Sequence, residues 1–497
     1  EQCPRLCPAR SRCRYQRYLR ESNGSDVSIQ ICNHNYLLAD AFHRQNAWRP
    51  LLRDYQAVVI DEAHRLPEAT EQMLTKQLSI KGLRQLIHCL EQQHLTRSAQ
   101  QLRAATEALA TVCQPREPDR VRAERQVSYQ PTQERQAALT DLQSCISELL
   151  RRYQVRLPMS LRHQLQATSE TAALFAQPQE EWITYIEYEA AAEGQIGVQF
   201  ALCAVPRNQP KHLYRLLWQR EKPTILTSGT LAVGHDFTHI RRQLGLDNGT
   251  AVQTVRVASP FDYVQNCLLV FPPRSAVHKV DKPSGEEASH ECLARHIEQL
   301  IHEAHGHTLV LFTSYDQMGH VYEQLEGRLP VPLLKAPRGG HYFVEQFKLC
   351  DNAVLLAGGP CWEGVDFPGD MVSLLVIARL PFPVPDPVRE ARRQQYPDLH
   401  SYIQAEIVPE MQQKLRQGFG RAIRTETDSC AVAILDPRAA PGGRYHKAVL
   451  DALPSGIPIT TKTEDIQTFL RARKSPDFFL PDFENDPKQT DSKTNAK

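Results

Sequence analysis

The sequence contains no Gly-Lys dipeptide, so its 497 residues lack the common phosphate-binding loop G-x-x-x-x-G-K-S/T. In that loop, the lysine holds the β- and γ-phosphates of a nucleotide. The sequence also has no run of about 18 apolar residues, and we therefore expect no membrane-spanning helix. Its 58 basic and 57 acidic residues nearly cancel. Overall charge therefore gives no sign of nucleic-acid binding, and only a local basic channel could supply it.

The N-terminus and the cysteines indicate the cell compartment. The first residue is Glu1 rather than methionine, and neither a signal peptide nor a transit peptide follows it. The 13 cysteines are odd in number and scattered, which argues against a secreted disulfide framework. We expect a cytoplasmic protein whose given N-terminus is not the natural one. The length predicts two to four domains, at roughly 150 residues each.

Apolar runs alternate with helical stretches in two parts of the chain. In residues 27–80, the runs "VSIQIC" and "YQAVVI" predict buried strands of a parallel sheet. From residue 224, strands are predicted in "TILTSGTL", "CLLVF", "HTLVLFTSY", "NAVLLAG", "VSLLVIARL" and "CAVAILD". Strands that alternate with helices predict a parallel α/β fold.

A different pattern separates these two parts. Residues 81–180 are mainly helical and polar, and "EWITYIEYE" and "QIGVQFALCAV", parted by "AAAEG", predict a β-hairpin. The polar tail after Asp482 is expected to be disordered.

The run "AVVIDEAH" places two carboxylates directly after a predicted strand. Open α/β sheets bind ligands at the carboxyl ends of their strands. There Asp61 could hold Mg²⁺ through water, and Glu62 could orient or deprotonate an attacking water. His64 follows and strengthens this interpretation. The alternative is an acidic N-cap for the next helix.

The run "QGFGRAIRTETD" combines arginines with glycines. On a helix, Gln417, Arg421 and Arg424 would share one face, which suits the charge that develops on a γ-phosphate. Gly418 and Gly420 would each cost about 1 kcal/mol in a helix, so they suggest that something approaches the backbone closely. The alternative is a solvated basic face.

Two further motifs follow apolar runs. "CWEGVDFPGD" places Glu363, Gly364 and Asp366 at a junction between a strand and a loop, and "TSGTL" places Ser228 and Thr230 similarly. Glu363 and Asp366 would stand where this junction meets a cleft, and the hydroxyls of Ser228 and Thr230 could relay between the carboxylates and a bound strand. A simple turn would explain both motifs equally well.

Three cysteines near the N-terminus have a spacing typical of metal ligands. Cys3, Cys7 and Cys13 have three and five residues between them and lie among arginines. The residues alone leave open an iron–sulfur site or a partial zinc site. Cys32 is a weaker candidate because "SIQIC" predicts the interior of a strand. His34, in "CNHNYLLAD", is expected to have a structural role where a strand meets a helix.

The order "DEAH", "TSGTL", "LFTSYDQM", "WEGVDFPGD", "RLPFPVPDP" and "QGFGRAIRTETD" resembles the DinG/XPD group of superfamily 2 helicases, in particular its bacterial DinG branch. The resemblance extends from residue 1 to about residue 475. It implies two RecA-like parallel-sheet motor domains, the first interrupted by a small Fe–S segment and a helical arch. It also implies a DNA-dependent ATPase that moves along single strands from 5′ to 3′.

The resemblance also implies domain boundaries. These are the Fe–S remainder (1–22), the first motor domain (23–80 and 216–258), the arch (81–215), the second motor domain (259–482) and the tail (483–497).

Site residues follow from the resemblance in the same way. The implied catalytic residues are Asp61, Glu62, Arg421 and Arg424, and the implied nucleotide contacts are His64, Glu363, Gly364, Asp366, Gln417 and Gly420. The residues implied to couple nucleotide to nucleic acid are Ser228, Thr230, Ser314 and Tyr315.

The resemblance further implies ATP, Mg²⁺ and a 4Fe–4S cluster as cofactors. Cys3, Cys7 and Cys13 resemble the last three of four cluster ligands, so the first ligand and the phosphate loop would both precede Glu1. The implied partners are single-stranded and forked DNA, bound by a nucleoid-associated monomer, with a single-strand-binding protein or repair proteins beside it. We expect these 497 residues alone to hydrolyse no appreciable ATP. The alternative function is a non-catalytic DNA-binding protein derived from a helicase.

Overall fold

Two compact units make up the chain in the computed structural model. The first contains residues 1–228, 240–250 and 384–402, and the second contains residues 229–239, 251–383 and 403–497. The structure describes residues 12–24, 26–115, 126–188, 199–220, 222–234, 236–247, 251–273 and 285–484. Within these ranges, no helix combines the length and the apolar character that a membrane crossing requires.

The strands of the described residues are short. In chain order they are β1 (Val58–Ile60), β2 (Lys76–Ser79), β3 (Gln126–Ser128), β4 (Trp182–Tyr188), β5 (Phe200–Pro206), β6 (Thr224–Leu226), β7 (Cys267–Val270), β8 (Thr308–Leu311), β9 (Leu333–Lys335), β10 (Val354–Ala357), β11 (Leu374–Ile377), β12 (Cys430–Ile434) and β13 (Ile459–Thr460).

Among the described residues, the longest helix lies in the first unit. The α-helices are Arg14–Ser22, His34–Gln45, Leu66–Leu74, Ile80–Gln92, Thr96–Val112, Gln133–Tyr153, Met159–Ala176, Gln209–Leu213, Thr238–Gln243, Tyr263–Asn266, Gly285–Glu303, Tyr315–Leu325, His341–Lys348, Pro387–Arg393, Leu399–Tyr402, Val408–Phe419, His446–Ala452, Asp465–Arg471 and Pro481–Glu484. Short 3₁₀ segments are Ala63–Arg65, Gly359–Trp362, Gly369–Val372 and Pro476–Phe478, and π-helical segments are Tyr214–Trp218 and Ile403–Ile407.

The second unit is built on a seven-stranded sheet in the order β13-β7-β12-β11-β8-β10-β9. All of its pairs are parallel, which confirms the predicted α/β fold. Alternate residues of each strand enter separate cores on the two faces. In β7, for example, Leu269 packs in one core and Leu268 in the other. Strands β9 and β13 were not predicted.

The described residues of the first unit form two separate sheets. β1 and β6 pair in parallel, with Ile60 opposite Leu226, so distant parts of the sequence are joined at the strand ends. β2, β5, β4 and β3 form an antiparallel sheet, and helices between residues 80 and 176 share its core. The predicted hairpin is confirmed for β4 and β5, where Trp182 lies opposite Pro206; residues 189–198 lie outside the described ranges.

One strand prediction is wrong. Residues 27–32 have no regular secondary structure, and Ile29 and Ile31 are 78% and 88% exposed. The Gln30 side chain donates to the Ser22 carbonyl at 2.7 Å and accepts from the Arg53 N–H at 3.1 Å. Side-chain bonds thus fix this segment in place of a strand ladder. Of the predicted disordered tail, residues 485–497 lie outside the described ranges.

Candidate active site

The chain turns sharply after β1, at Asp61 and Glu62. Glu62 has φ +48°, a left-handed conformation that is uncommon for residues other than glycine. It precedes the 3₁₀ segment Ala63–Arg65 but makes no side-chain capping bond to it. The interpretation of Glu62 as an N-cap therefore finds no support in the geometry.

The end of β6 supplies a hydroxyl to each carboxylate. Thr227 donates its hydroxyl proton to Asp61 Oδ1 at 2.7 Å, and Ser228 donates to Glu62 Oε2 at 2.8 Å. Because β1 and β6 are parallel neighbours, their carboxyl ends meet at the same edge. The "DEAH" and "TSGTL" motifs are thereby brought together.

His64 completes this cluster. Its Nδ1 lies 2.9 Å from Ser228 Oγ and 3.1 Å from Glu62 Oε2, and its side chain is only 9% exposed. Since the Ser228 proton is directed to Glu62, the hydroxyl oxygen accepts from the histidine. We infer that Nδ1 carries a proton. Ser228 thus holds Glu62 Oε2 through its hydroxyl, and the His64 ring lies beside the same oxygen.

Asp61 is an exposed carboxylate that stays ionised. The hydroxyl bond from Thr227 contributes most to lowering the pKa of Asp61, followed by a backbone bond from Glu62. A charged oxygen at a water-accessible strand end fits Mg²⁺, which binds oxygen ligands and keeps several waters.

In the second unit, the "WEGVDFPGD" loop and the arginines meet. Arg421 donates to the Val365 carbonyl, and Arg424 Nη2 lies 3.4 Å from the same oxygen. Arg424 Nε is 2.8 Å from Asp366 Oδ1. Burial, and then the charge of Arg424, lower the pKa of Arg421 to about 10, which leaves it charged at neutral pH. Gly364, beside Val365, has φ +76°.

The predicted helix for the arginines is wrong. The helix Val408–Phe419 contains Gln417 but ends before Arg421 and Arg424, so the three do not share one helical face. Asp428 Oδ2 accepts the backbone N–H groups of Arg424 and the next residue, each at 2.8 Å. These bonds offer the backbone an alternative to further helix. A turn therefore presents both arginines, and Gly420 is the helix C-cap.

The inference that a group approaches the backbone closely is confirmed at Gly418, where that group is a tryptophan. A Cβ on Gly418 would lie 2.7 Å from Trp362 Cε3. Trp362 is 1% exposed and donates its ring N–H to the Phe312 carbonyl at 2.9 Å. Gly420 has no such neighbour, since the nearest atoms to its Cβ position are carbonyl oxygens of its own helix, at 3.3 Å and beyond.

The remaining predicted coupling residues lie in the second unit. Ser314 caps the helix Tyr315–Leu325 by accepting a backbone N–H at 3.3 Å. The Tyr315 ring carries the guanidinium of Arg338 over its face, 5.1 Å from the centroid. Thr230 is buried, and its carbonyl accepts from Gln413 at 3.0 Å.

Only one of the three predicted cysteine ligands lies within the described residues. Cys3 and Cys7 lie outside the described residues, while Cys13 is half-buried just before the helix Arg14–Ser22. Cys32 is exposed in an irregular segment, so a strand interior no longer counts against it. In the parts of the chain that the structure describes, no group of three or more histidines, cysteines or carboxylates is arranged to hold a metal.

Sequence reasoning missed Thr227, and it gave His34 a structural role without placing it beside Asp61. Thr227 stands at the same strand end as Ser228, so the argument from strand ends could have included it. His34 lies 2.8 Å, through its Nε2, from the Asp61 carbonyl oxygen. It precedes Asp61 by 27 residues, and no local pattern relates the two.

The chain is similar to several known proteins. Residues 297–456 match the family described as the helicase C-terminal domain. The sequence is 33% identical over 298 residues to ATP-dependent DNA helicase DinG of Photobacterium profundum, covering 57% of this chain and 41% of that protein. It is 28% identical over 471 residues to ATP-dependent DNA helicase YoaA of Escherichia coli, covering 90% of this chain and 69% of that protein.

The fold is similar to that of a solved XPD structure in its apo form. The TM-score is 0.53 at 17% identity, and the match covers 86% of this chain and 80% of that one. At this identity, the similarity concerns the fold alone.

Proposed function

We propose that this chain, DinG/XPD-like in sequence and fold and thus similar to superfamily 2 helicases, is the motor of an ATP-dependent DNA helicase with 5′ to 3′ polarity. The chain spans less than half of the Photobacterium relative, so the proposal concerns the whole protein that contains it. DNA as the partner comes from the names of the related helicases. Polarity comes from the motif resemblance.

The cluster around Glu62 carries this proposal. Glu62 would take the proton of the attacking water, since its carboxylate is held in one orientation through Oε2 by Ser228 and His64. The other carboxylate oxygen of Glu62 would then face the attacking water. Asp61, held by Thr227, would retain Mg²⁺ through water. When bound, that ion offsets the negative charge of the phosphates.

Arginines of the second unit would bear the charge that develops on the γ-phosphate. Arg421 and Arg424 are held in one place by the Val365 carbonyl and by Asp366, which reduces the cost of ordering them when nucleotide binds. Glu363, Gly364, Gln417 and Gly420 would complete the nucleotide contacts, and Ser228, Thr230, Ser314 and Tyr315 would couple them to DNA.

A 4Fe–4S cluster is part of the same proposal. Cys3, Cys7 and Cys13 would be three of its thiolate ligands, and Cys13 is half-buried at the start of a helix that carries three arginines. Those arginines would suit contacts with DNA phosphates beside the cluster.

The test compares two glutamates in the full-length protein. Glu62→Gln should bind ATP but abolish hydrolysis stimulated by single-stranded DNA, because an amide accepts no proton from water. Glu68→Gln is the control, since it makes the same change on an exposed residue of the next helix. Forks with a 5′ or a 3′ tail report the polarity of unwinding. Normal turnover in Glu62→Gln would contradict the proposal. DNA binding without any turnover in the unaltered protein would favour the non-catalytic alternative.

A further inference from the structure

His34 reaches the turn that carries the two carboxylates. It is the first residue of the helix His34–Gln45, whose N-cap Asn33 accepts the N–H of Tyr36 at 2.9 Å. His34 Nε2 lies 2.8 Å from the Asp61 carbonyl oxygen. A carbonyl oxygen only accepts, so Nε2 carries the proton and donates it.

The accepting carbonyl belongs to the peptide bond that joins Asp61 to Glu62. Glu62 has φ +48°, and such a conformation persists in an L-residue only where its surroundings impose it. A bond that fixes this peptide plane also fixes the direction in which the Glu62 side chain leaves the backbone. That direction brings its carboxylate to Ser228 at 2.8 Å.

We propose that His34 is a positioning residue for Glu62, acting through the Asp61 carbonyl. This proposal rests on the proposed ATPase function, because it concerns the orientation of the residue that would activate water. Loss of the bond should therefore lower kcat and leave the KM for ATP and the affinity for DNA nearly unchanged. Loss of a residue needed only for folding would not lower kcat while leaving KM and DNA affinity unchanged.

Two amide substitutions distinguish the roles of the two ring nitrogens of His34. In His34→Gln, the amide nitrogen can lie near the position of Nε2 and keep the bond. In His34→Asn, it lies near the position of Nδ1 and cannot reach. We expect His34→Asn and His34→Ala to lower kcat about tenfold or more and His34→Gln to keep most of it; a tenfold loss is about 1.4 kcal/mol in the barrier.

A matched control lies in the same helix. His43 also bonds a backbone carbonyl, that of Arg49, at 2.9 Å, but it has no contact with the carboxylates in the structure. His43→Ala should therefore lower thermal stability without lowering kcat. Equal kcat in His34→Gln and His34→Asn, or normal kcat in His34→Ala, would overturn the proposal.

A second measurement does not depend on ATP hydrolysis. Glycine adopts φ +48° without strain, so Glu62→Gly keeps the turn but removes the carboxylate that His34 would position, together with its contacts to Ser228 and His64. His34→Ala should then lower the melting temperature less in the Glu62→Gly background than in the unaltered protein. Additive effects would overturn the positioning role. If the unaltered protein shows no ATPase activity while the effects are non-additive, the proposed function fails and the role of His34 in holding the turn stands.

Discussion

Gly418→Ala tests whether Trp362 explains the glycine in the helix Val408–Phe419. The new methyl group would lie 2.7 and 2.8 Å from two ring carbons of Trp362 and 3.3 Å from Leu311 Cδ1. Real Cβ contacts are not this short, so the ring or the helix must move. The ring is enclosed and tied by its N–H to the Phe312 carbonyl, so it has little room to do so.

The magnitudes favour destabilisation. Alanine in place of glycine gains at most about 1 kcal/mol of helix propensity. Overpacking costs about 1–3 kcal/mol, and a buried N–H left without its acceptor costs about 1–3 kcal/mol. We expect a net loss of about 3 kcal/mol, which corresponds to a melting temperature lower by about 6–12 °C for a unit of this size.

The assay is thermal unfolding of Gly418→Ala beside Gly420→Ala. Gly420 has φ −59°, and its added Cβ would meet only carbonyl oxygens of its own helix, so this control should be neutral or slightly stabilising. Ring burial of Trp362, followed by its fluorescence, should change only in Gly418→Ala. If Gly418→Ala were as stable as Gly420→Ala, the packing explanation would be refuted.

Three further predictions concern catalysis, pH and iron. In the full-length protein, Arg421→Ala and Arg424→Ala should each slow ATP hydrolysis by about 10³-fold or more, and near-normal kcat in both would remove them from the charge-stabilising role. Burial lowers the pKa of His307 from 6.5 to about 4, so the unfolded chain binds more protons between these values. The contribution of neutral His307 to stability is therefore complete above pH 6.5, and about 3 kcal/mol of it is lost as the pH falls toward 4. The melting temperature of His307→Asn should depend less steeply on pH than that of the unaltered protein. Equal slopes would contradict this. Anaerobic reconstitution of the full-length protein should yield iron and sulfide with visible absorbance, and Cys13→Ser should make the cluster labile; one zinc and no sulfide would exclude it.

The parallel sheet of the second unit could be predicted from the sequence because its signal is local. A strand buried on both faces needs apolar residues throughout, and such runs stand out between helical segments. For the same reason, local patterns predicted that Asp61, Glu62 and Ser228 lie at strand ends. Since the carboxyl ends of parallel strands share one edge, their meeting could be expected once β1 and β6 were taken as neighbours.

Other features depend on contacts between residues far apart in the sequence. Apolar alternation at Ile29 and Ile31 resembles a strand, but a strand also needs a partner ladder, and none forms there. From spacing alone, Arg421 and Arg424 were predicted to lie on a helix. In the structure, the Asp428 carboxylate accepts the backbone N–H of Arg424, and the chain turns there.

The structure also decided what holds the candidate site in place. The bond from His34 to the Asp61 carbonyl joins a side chain to a backbone atom. Carbonyl groups occur at every residue and carry no signal in the sequence. Only the folded arrangement brings one particular carbonyl within 2.8 Å of the imidazole, and so determines which backbone group that side chain constrains.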